Sequence, residues 1–339
     1  QVREHLAATA SGQAPTTSPA WLEAALEAVP RRLRANPSDG LAALRAGLLP
    51  VSTLALEGPG RTSPPIARAV CRGIQLMAVP PAAVQVRKDV DAALHDGAFA
   101  PLVGVMGAHV TVGAVQFPCI AAVVNLVTIA PTVQALDAAI AAGVAESIVN
   151  AMDHNSADES VLEAGCVALL HLSEPRANAL TPEVYARKRA LVRAGGMRAL
   201  SEALEKKGHV AAVAAAASAA IAKACEAGGP RGPAPAADTS PEDIDSVAQA
   251  AISSGALGHL MTAMAAHADK AEVLMYLLRA LAQVGHSSER TGPHPARAVV
   301  GAGGVEAVAA AMAAFAQDAD VQASAARVLI ALSHSGDAE

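Results

Sequence analysis

A short residue followed by glycine recurs six times along the chain, with the glycine at positions 47, 97, 143, 195, 255 and 303. The spacings are 50, 46, 52, 60 and 48 residues. Nothing else in the sequence restricts the fold as much. A fixed period of this length means one local unit built repeatedly, each copy burying its apolar face on the next. The glycines are only the anchor, and the test is whether other columns hold at fixed offsets. Nine residues on stand Leu56, Met106, Met152, Leu204, Met264 and Met312. Eighteen on stand Pro65, Val115, Val161, Val213, Val273 and Val321. At 22 the residues are small in all copies but one: Ala69, Cys119, Gly165, Ala217, Leu277 and Ala325. At 26 come Gly73, Val123, Leu169, Ile221, Leu281 and Leu329, and at 29 Leu76, Leu126, Leu172, Ala224, Val284 and Leu332.

The columns at 18, 22, 26 and 29 are four, four and three apart, which is one stripe of an α-helix. The residues two, five and nine after each glycine, apolar in every copy except for Ser52 in the first, form a second helix, with Met197, Leu200 and Leu204 in the fourth copy. A shorter helical stretch precedes each glycine. Two of these have clear starts, Thr181-Pro182-Glu183 and Ser240-Pro241-Glu242-Asp243, with a capping hydroxyl, a proline at the first helical position and acids in the first turn. Each unit therefore reads as a first helix, a glycine corner, a second helix, a turn and a longer third helix. Glycine suits a corner that demands positive φ.

Composition agrees. The chain of 339 residues is 53% hydrophobic but 2% aromatic, with alanine dominant. Alanine is the best helix former and lets helices approach closely, so the class is all-α. Mean hydropathy is +0.34. The longest uncharged stretch, Gly97 to Leu136, is interrupted by Pro101, His109, Gln116, Pro118, Asn125 and Pro131. Its apolar pieces fall short of the roughly 20 residues a membrane span needs, so no span is expected. A net charge of −6 supplies no global field for nucleic acid. Cysteines at 71, 119, 166 and 225 form no CxxC pair. A chain this long folds without disulfides, so a reducing intracellular compartment is expected, and Cys71, Cys119 and Cys166, at or near the small column of their third helices, are expected as small buried residues.

The corner phrase Val192-Arg193-Ala194-Gly195-Gly196-Met197-Arg198-Ala199-Leu200, and the third-helix end Ala122-Val123-Val124-Asn125-Leu126, resemble the armadillo repeat family. The resemblance covers about residues 37 to 335. HEAT repeats, the near alternative, usually have two helices and lack the glycine corner. The resemblance implies a right-handed superhelical solenoid of about six three-helix repeats, with third helices lining a concave surface. It also implies a groove. In armadillo proteins of the nuclear-import type, an Asn near the end of each third helix grips an extended peptide, and a Trp one turn earlier holds lysines. The Asn column here falls at Gln75, Asn125, His171, Lys223, Gln283 and Ala331, so five of six are polar and one is Asn. These five polar residues are the candidate partner-binding positions. The Trp column is Cys71, Ala121, Val167, Ala219, Arg279 and Arg327, which removes cation–π capture of lysine and with it nuclear-import cargo.

Residues 1–36 are expected to be a lead-in or partial preceding repeat, with 1–10 as the tail of an earlier third helix and 18–35 helical. The array follows over 37–339. Loop insertions fall near 57–65, 228–241 and 286–295, where Pro, Gly and Ser cluster. The absence of an initiator Met suggests a fragment beginning mid-array.

Catalytic and metal motifs are missing. There is no HExxH, P-loop or GxSxG. Gly301-Ala302-Gly303-Gly304 is a repeat corner rather than a dinucleotide loop, and Gly58–Ser63 lacks the Lys of a phosphate cradle. His259 and His267, eight apart, share a helical face but are too far apart for one metal ion, and His171 reads as a groove residue. The basic clusters Arg31-Arg32-Arg34 and Arg187-Lys188-Arg189, with Arg193, read as solvated faces. The expectation is a non-enzymatic protein-interaction scaffold or adaptor with no cofactor and no metal. It would be a subunit of a larger intracellular assembly, cytoplasmic or cytoskeletal, a ciliary one included, binding one or more proteins or extended peptides. The alternatives are a soluble receptor taking cargo peptides in the groove, and an RNA-binding helical array. The last is disfavoured by one Trp, two Tyr and three Phe in the whole chain.

Overall fold

The computed structural model describes residues 19–36, 48–77, 97–129, 132–174, 181–226, 241–286 and 295–333. Among these residues there are 17 α-helices and one short 3-10 helix, and no strand. Contacts divide the chain into two compact units, Gln1–Asn155 and Ser156–Glu339. The division falls inside the third copy, between its second and third helices.

The first unit holds α1 (Pro19–Ala35), α2 (Leu48–Glu57), α3 (Pro64–Met77), α4 (Phe99–Ala108), α5 (Gly113–Ile129), α6 (Val133–Ala141) and α7 (Val144–His154). The helical lead-in over 18–35 is thus present as α1, which packs on α3 and buries Leu22, Leu26 and Leu33. The third helices of copies one and two, α3 and α5, pack together, as do their second helices α2 and α4. The predicted loop at 57–65 is shorter than expected. It is a 3-10 turn over Pro59–Arg61, and α3 begins at Pro64, because proline supplies the φ of a first helical turn.

The second unit holds α8 (Glu159–Ser173), α9 (Pro182–Arg193), α10 (Gly196–Lys207), α11 (Ala211–Cys225), α12 (Pro241–Ser253), α13 (Ala256–Ala266), α14 (Ala271–Gly285), α15 (Pro295–Gly301), α16 (Gly304–Ala314) and α17 (Ala319–Ser333). Third helices α8, α11, α14 and α17 pack successively, each on the next. Second helices α10, α13 and α16 do the same beside them. The three-helix unit read from the sequence is complete in copies three to six. The first helices of copies one and two, the lead-in over 1–10 and most of the insertions near 228–241 and 286–295 lie outside the described residues.

Five of the six anchors are described, and all five are left-handed: Gly97, Gly143, Gly195, Gly255 and Gly303, with φ between 78° and 93°. At Gly143 the first and second helices bend by 59°, and at Gly303 by 67°. A side chain at such a φ meets the following carbonyl oxygen. Gly195→Ala should therefore cost about 1–2 kcal/mol, read as a lower urea midpoint. An unchanged midpoint would show that the corner tolerates Cβ.

The columns explain the core. At offset 22, Ala69, Cys119, Gly165, Ala217 and Ala325 are buried, and their small size lets the third helices approach closely. Helix starts are capped as well. Thr132 accepts from the backbone N–H of Ala135, and Asp158 from Ser160 and Val161. Thr181, the expected cap of α9, makes no backbone cap. Its hydroxyl meets the Glu183 carboxylate instead and holds that carboxyl below its usual range. The other expected cap, Ser240, lies outside the described residues. No single helix among the described residues is long and apolar enough to cross a membrane.

Candidate functional site

The candidate column lies near the ends of the third helices. Gln75, Asn125, His171, Lys223 and Gln283 are all half-buried, and Ala331 is buried. Each polar residue sits beside buried apolar ones, so its head group is held at the boundary of core and solvent. In the first unit, Asn125 Nδ2 donates to the backbone carbonyl of Gln75 at 2.6 Å. The one Asn that matches the family pattern thus ties its copy to the one before. In the second unit, His171 Nδ1 donates to Glu174 Oε2 at 3.1 Å, and Lys223 Nζ pairs with Glu226 Oε2 at 2.6 Å. Gln283 has no hydrogen-bond partner among the described residues, leaving its amide with donors and an acceptor to offer. One turn earlier, Arg279 and Arg327 are exposed on α14 and α17, and Tyr276 is 43% exposed beside Arg279. The second unit therefore presents Lys223, Arg279, Gln283 and Arg327 on its third helices.

A second set of polar residues escaped the sequence reading; some of it joins successive copies and some ties the second helix of a copy to its third. The residue 12 after the glycine donates to the backbone carbonyl 13 after the preceding glycine. His109 Nε2 donates to Gly60 O at 2.8 Å, Asn155 Nδ2 to Val110 O at 2.7 Å, and His267 Nε2 to Gly208 O at 2.8 Å. Second helices end here, where carbonyls lack helical partners. At offset 19, Gln116 Nε2 donates to Met106 O and His109 O, and Gln322 Nε2 to Met312 O and Phe315 O, all between 2.8 and 3.0 Å. His267 is consequently not on a shared face with His259. It follows the end of α13 and is buried. His259 Nδ1 donates to Ser201 Oγ at 2.9 Å, whose own hydrogen goes to Ser254 O at 2.8 Å.

Two expectations are corrected. Arg187 and Lys188 do not lie on a solvated face, since they are 2% and 1% exposed. The α9 register turns both inward, while Arg189 is half-buried and Arg193 exposed. Lys188 Nζ donates to Glu226 O at 2.6 Å and lies 5.6 Å from the Tyr185 ring centre. Burial lowers its pKa to about 8, opposed by nearby Cys225 and Glu226. The second correction concerns the cysteines. Cys71 and Cys119 form a disulfide between α3 and α5, with Cα atoms 4.8 Å apart. They occupy different columns, 24 and 22, so repeat alignment alone does not pair them. Cys166 is free and buried, as expected, Cys225 is free and buried too, and burial raises both thiols, Cys225 to about 12. The folded protein should therefore take up no alkylating reagent. Unfolding should expose two thiols, and unfolding with reductant four. Four without reductant would contradict the disulfide.

No group of three or more His, Cys, Asp or Glu among the described residues could hold a metal ion.

No family model and no curated protein matches the sequence. Solved structures do. A crystal structure of an engineered protein from the Northeast Structural Genomics Consortium is 23% identical and superposes with a TM-score of 0.61. The match covers 81% of this chain and 93% of that one. The two share a fold. A structure from work on a phosphorylation switch controlling the interaction between cadherin and beta-catenin is 13% identical, with a TM-score of 0.36, covering 99% of this chain and 75% of that one.

Proposed function

We propose that the chain is an armadillo-type repeat scaffold, without catalytic activity, that binds protein partners through its third-helix faces. One observation carries the reading. A single column at the ends of successive third helices is polar and half-buried in five of six copies, amid residues that otherwise serve the core. Repeat arrays of this kind use such faces for recognition. Residues Gln75 and Asn125 belong to the face of the first unit, and His171, Lys223 and Gln283 to that of the second. Lys223, Arg279 and Arg327 give the second face a cationic character suited to carboxylates on a partner.

Assembly within the cell, cytoplasmic or cytoskeletal, follows the resemblance. The Cys71–Cys119 disulfide points away from a reducing compartment, and thiol counting on acid-quenched native protein decides between the two. The amide of Gln283, without a partner among the described residues, favours a second reading, a receptor for an extended peptide.

Affinity capture of the intact protein at mild salt, followed by size exclusion, separates these readings. A stoichiometric set of proteins supports the scaffold, and substoichiometric, exchangeable peptides support the receptor. Co-purifying RNA lost steeply with salt would overturn both.

A further inference from the structure

The first unit gathers arginines from two helices around one carboxylate. Glu27, Arg31 and Arg34 follow each other at four and three residues along one face of α1. Arg68 and Arg72, four apart, share a face of α3, on which α1 packs. Glu27 answers the first of these charges. One of its carboxylate oxygens meets Arg31 Nη2 at 2.9 Å, and the other meets Arg68 Nη2 at 3.5 Å. Beyond it lie Arg34 and Arg72, both exposed. Partial desolvation, then the charges of Arg34 and Arg68, hold the Arg72 guanidinium below its ordinary range. Arg34 and Arg72 are thus close enough to repel, and neither pairs with a carboxylate among the described residues. The residues that follow the two helices supply too little charge to balance them. Positions 37–47 carry Asp39 and Arg45, with no net charge, and 78–96 carry Arg87, Lys88, Asp89, Asp91 and Asp96, with a net charge of −1. That falls short of a cluster of four arginines and one glutamate.

We infer that Arg34 and Arg72 together receive a carboxylate from an acidic segment of a protein partner. Glu27 is the precedent within the chain, a carboxylate shared by one arginine of α1 and one of α3. The partner's acid would repeat that arrangement further along the same two helices. Like charges held side by side raise the free energy of the unliganded face, and an anion from outside removes that cost. The planar guanidinium fork suits a carboxylate, and the surrounding arginines speed its approach. A nucleic acid is less well served. The two helices carry one aromatic residue, Trp21, thirteen residues from Arg34, so stacking of bases is not provided. The inference rests on the reading that third-helix faces meet protein partners, and adds the charge of the partner at the first unit.

The test is fluorescence anisotropy of a labelled hexaglutamate peptide at low ionic strength, where exposed charges are least screened. The whole chain carries Arg279→Gln/Arg327→Gln throughout, so that the exposed arginines of the second unit do not contribute. The peptide should bind this protein. Adding Arg34→Gln/Arg72→Gln should weaken binding about tenfold, without lowering the thermal midpoint, because both side chains are exposed. Adding Arg198→Gln instead, on an arginine that already pairs with Glu202 at 2.7 Å, should leave binding unchanged. No binding overturns the inference. So does binding that survives the loss of Arg34 and Arg72, or that falls equally with Arg198→Gln. An RNA oligonucleotide of equal length that displaces the peptide more readily than unlabelled hexaglutamate does would assign the cluster to nucleic acid and overturn it as well. Failure of the scaffold reading looks different: the chain binds hexaglutamate but captures no protein from its extract.

Discussion

Between pH 8 and 10.5 the wild-type protein gains about 3 kcal/mol of stability relative to its Lys188→Met variant. The sign follows from which state holds the proton. Burial lowers the Lys188 pKa from 10.5 to about 8 in the fold. In that window the unfolded chain binds more protons than the folded one, so stability rises with pH. Below the folded value the ammonium is charged in both states and its desolvation cost is fully present. Above the unfolded value it is neutral in both and the cost is gone. Each tenfold change in proton affinity is worth about 1.4 kcal/mol, which sets the size of the effect. The methionine keeps the volume and cannot titrate, and other groups titrate alike in both proteins. Urea unfolding of the pair across this range provides the measurement. Parallel stability curves would mean that Lys188 is solvated after all.

The second large effect is a contrast within one column. Leu281→Ala should cost about 3–4 kcal/mol, because a fully buried leucine leaves a cavity that the stacked helices cannot close. Leu329→Ala, at the same offset in the sixth copy, should cost less than about 1 kcal/mol, since that side chain is 39% exposed. Urea midpoints of the two variants settle the matter. Equal costs would contradict the difference in burial between the two leucines.

Much of the fold was legible because one physical unit is written six times. The glycine corners showed themselves because only one residue type tolerates their φ, and the third-helix stripe because its spacing matches the helical turn. Position 12 was opaque for the opposite reason. His109, Asn155 and His267 do one job with two residue types, and their acceptor is a backbone carbonyl 45 to 59 residues away, which leaves no side-chain signature. Lys188 was misread because charge in a helix normally means surface, and only the packing of α9 turns it inward. Cys71 and Cys119 were misread because their pairing joins two columns rather than one. The candidate positions themselves were legible from their column, but not that Asn125 spends its amide on the Gln75 carbonyl.

The central claim is that third-helix faces meet the partner. It is tested most directly by placing a photo-crosslinking residue at Lys223 or Gln283, and in parallel at the exposed second-helix positions Arg198 and Thr262. After irradiation of the protein in its native extract, protein adducts should form from Lys223 and Gln283 and not from the other two. Adducts confined to Arg198 and Thr262, or absent from the third-helix sites while partners still co-purify, would contradict the account.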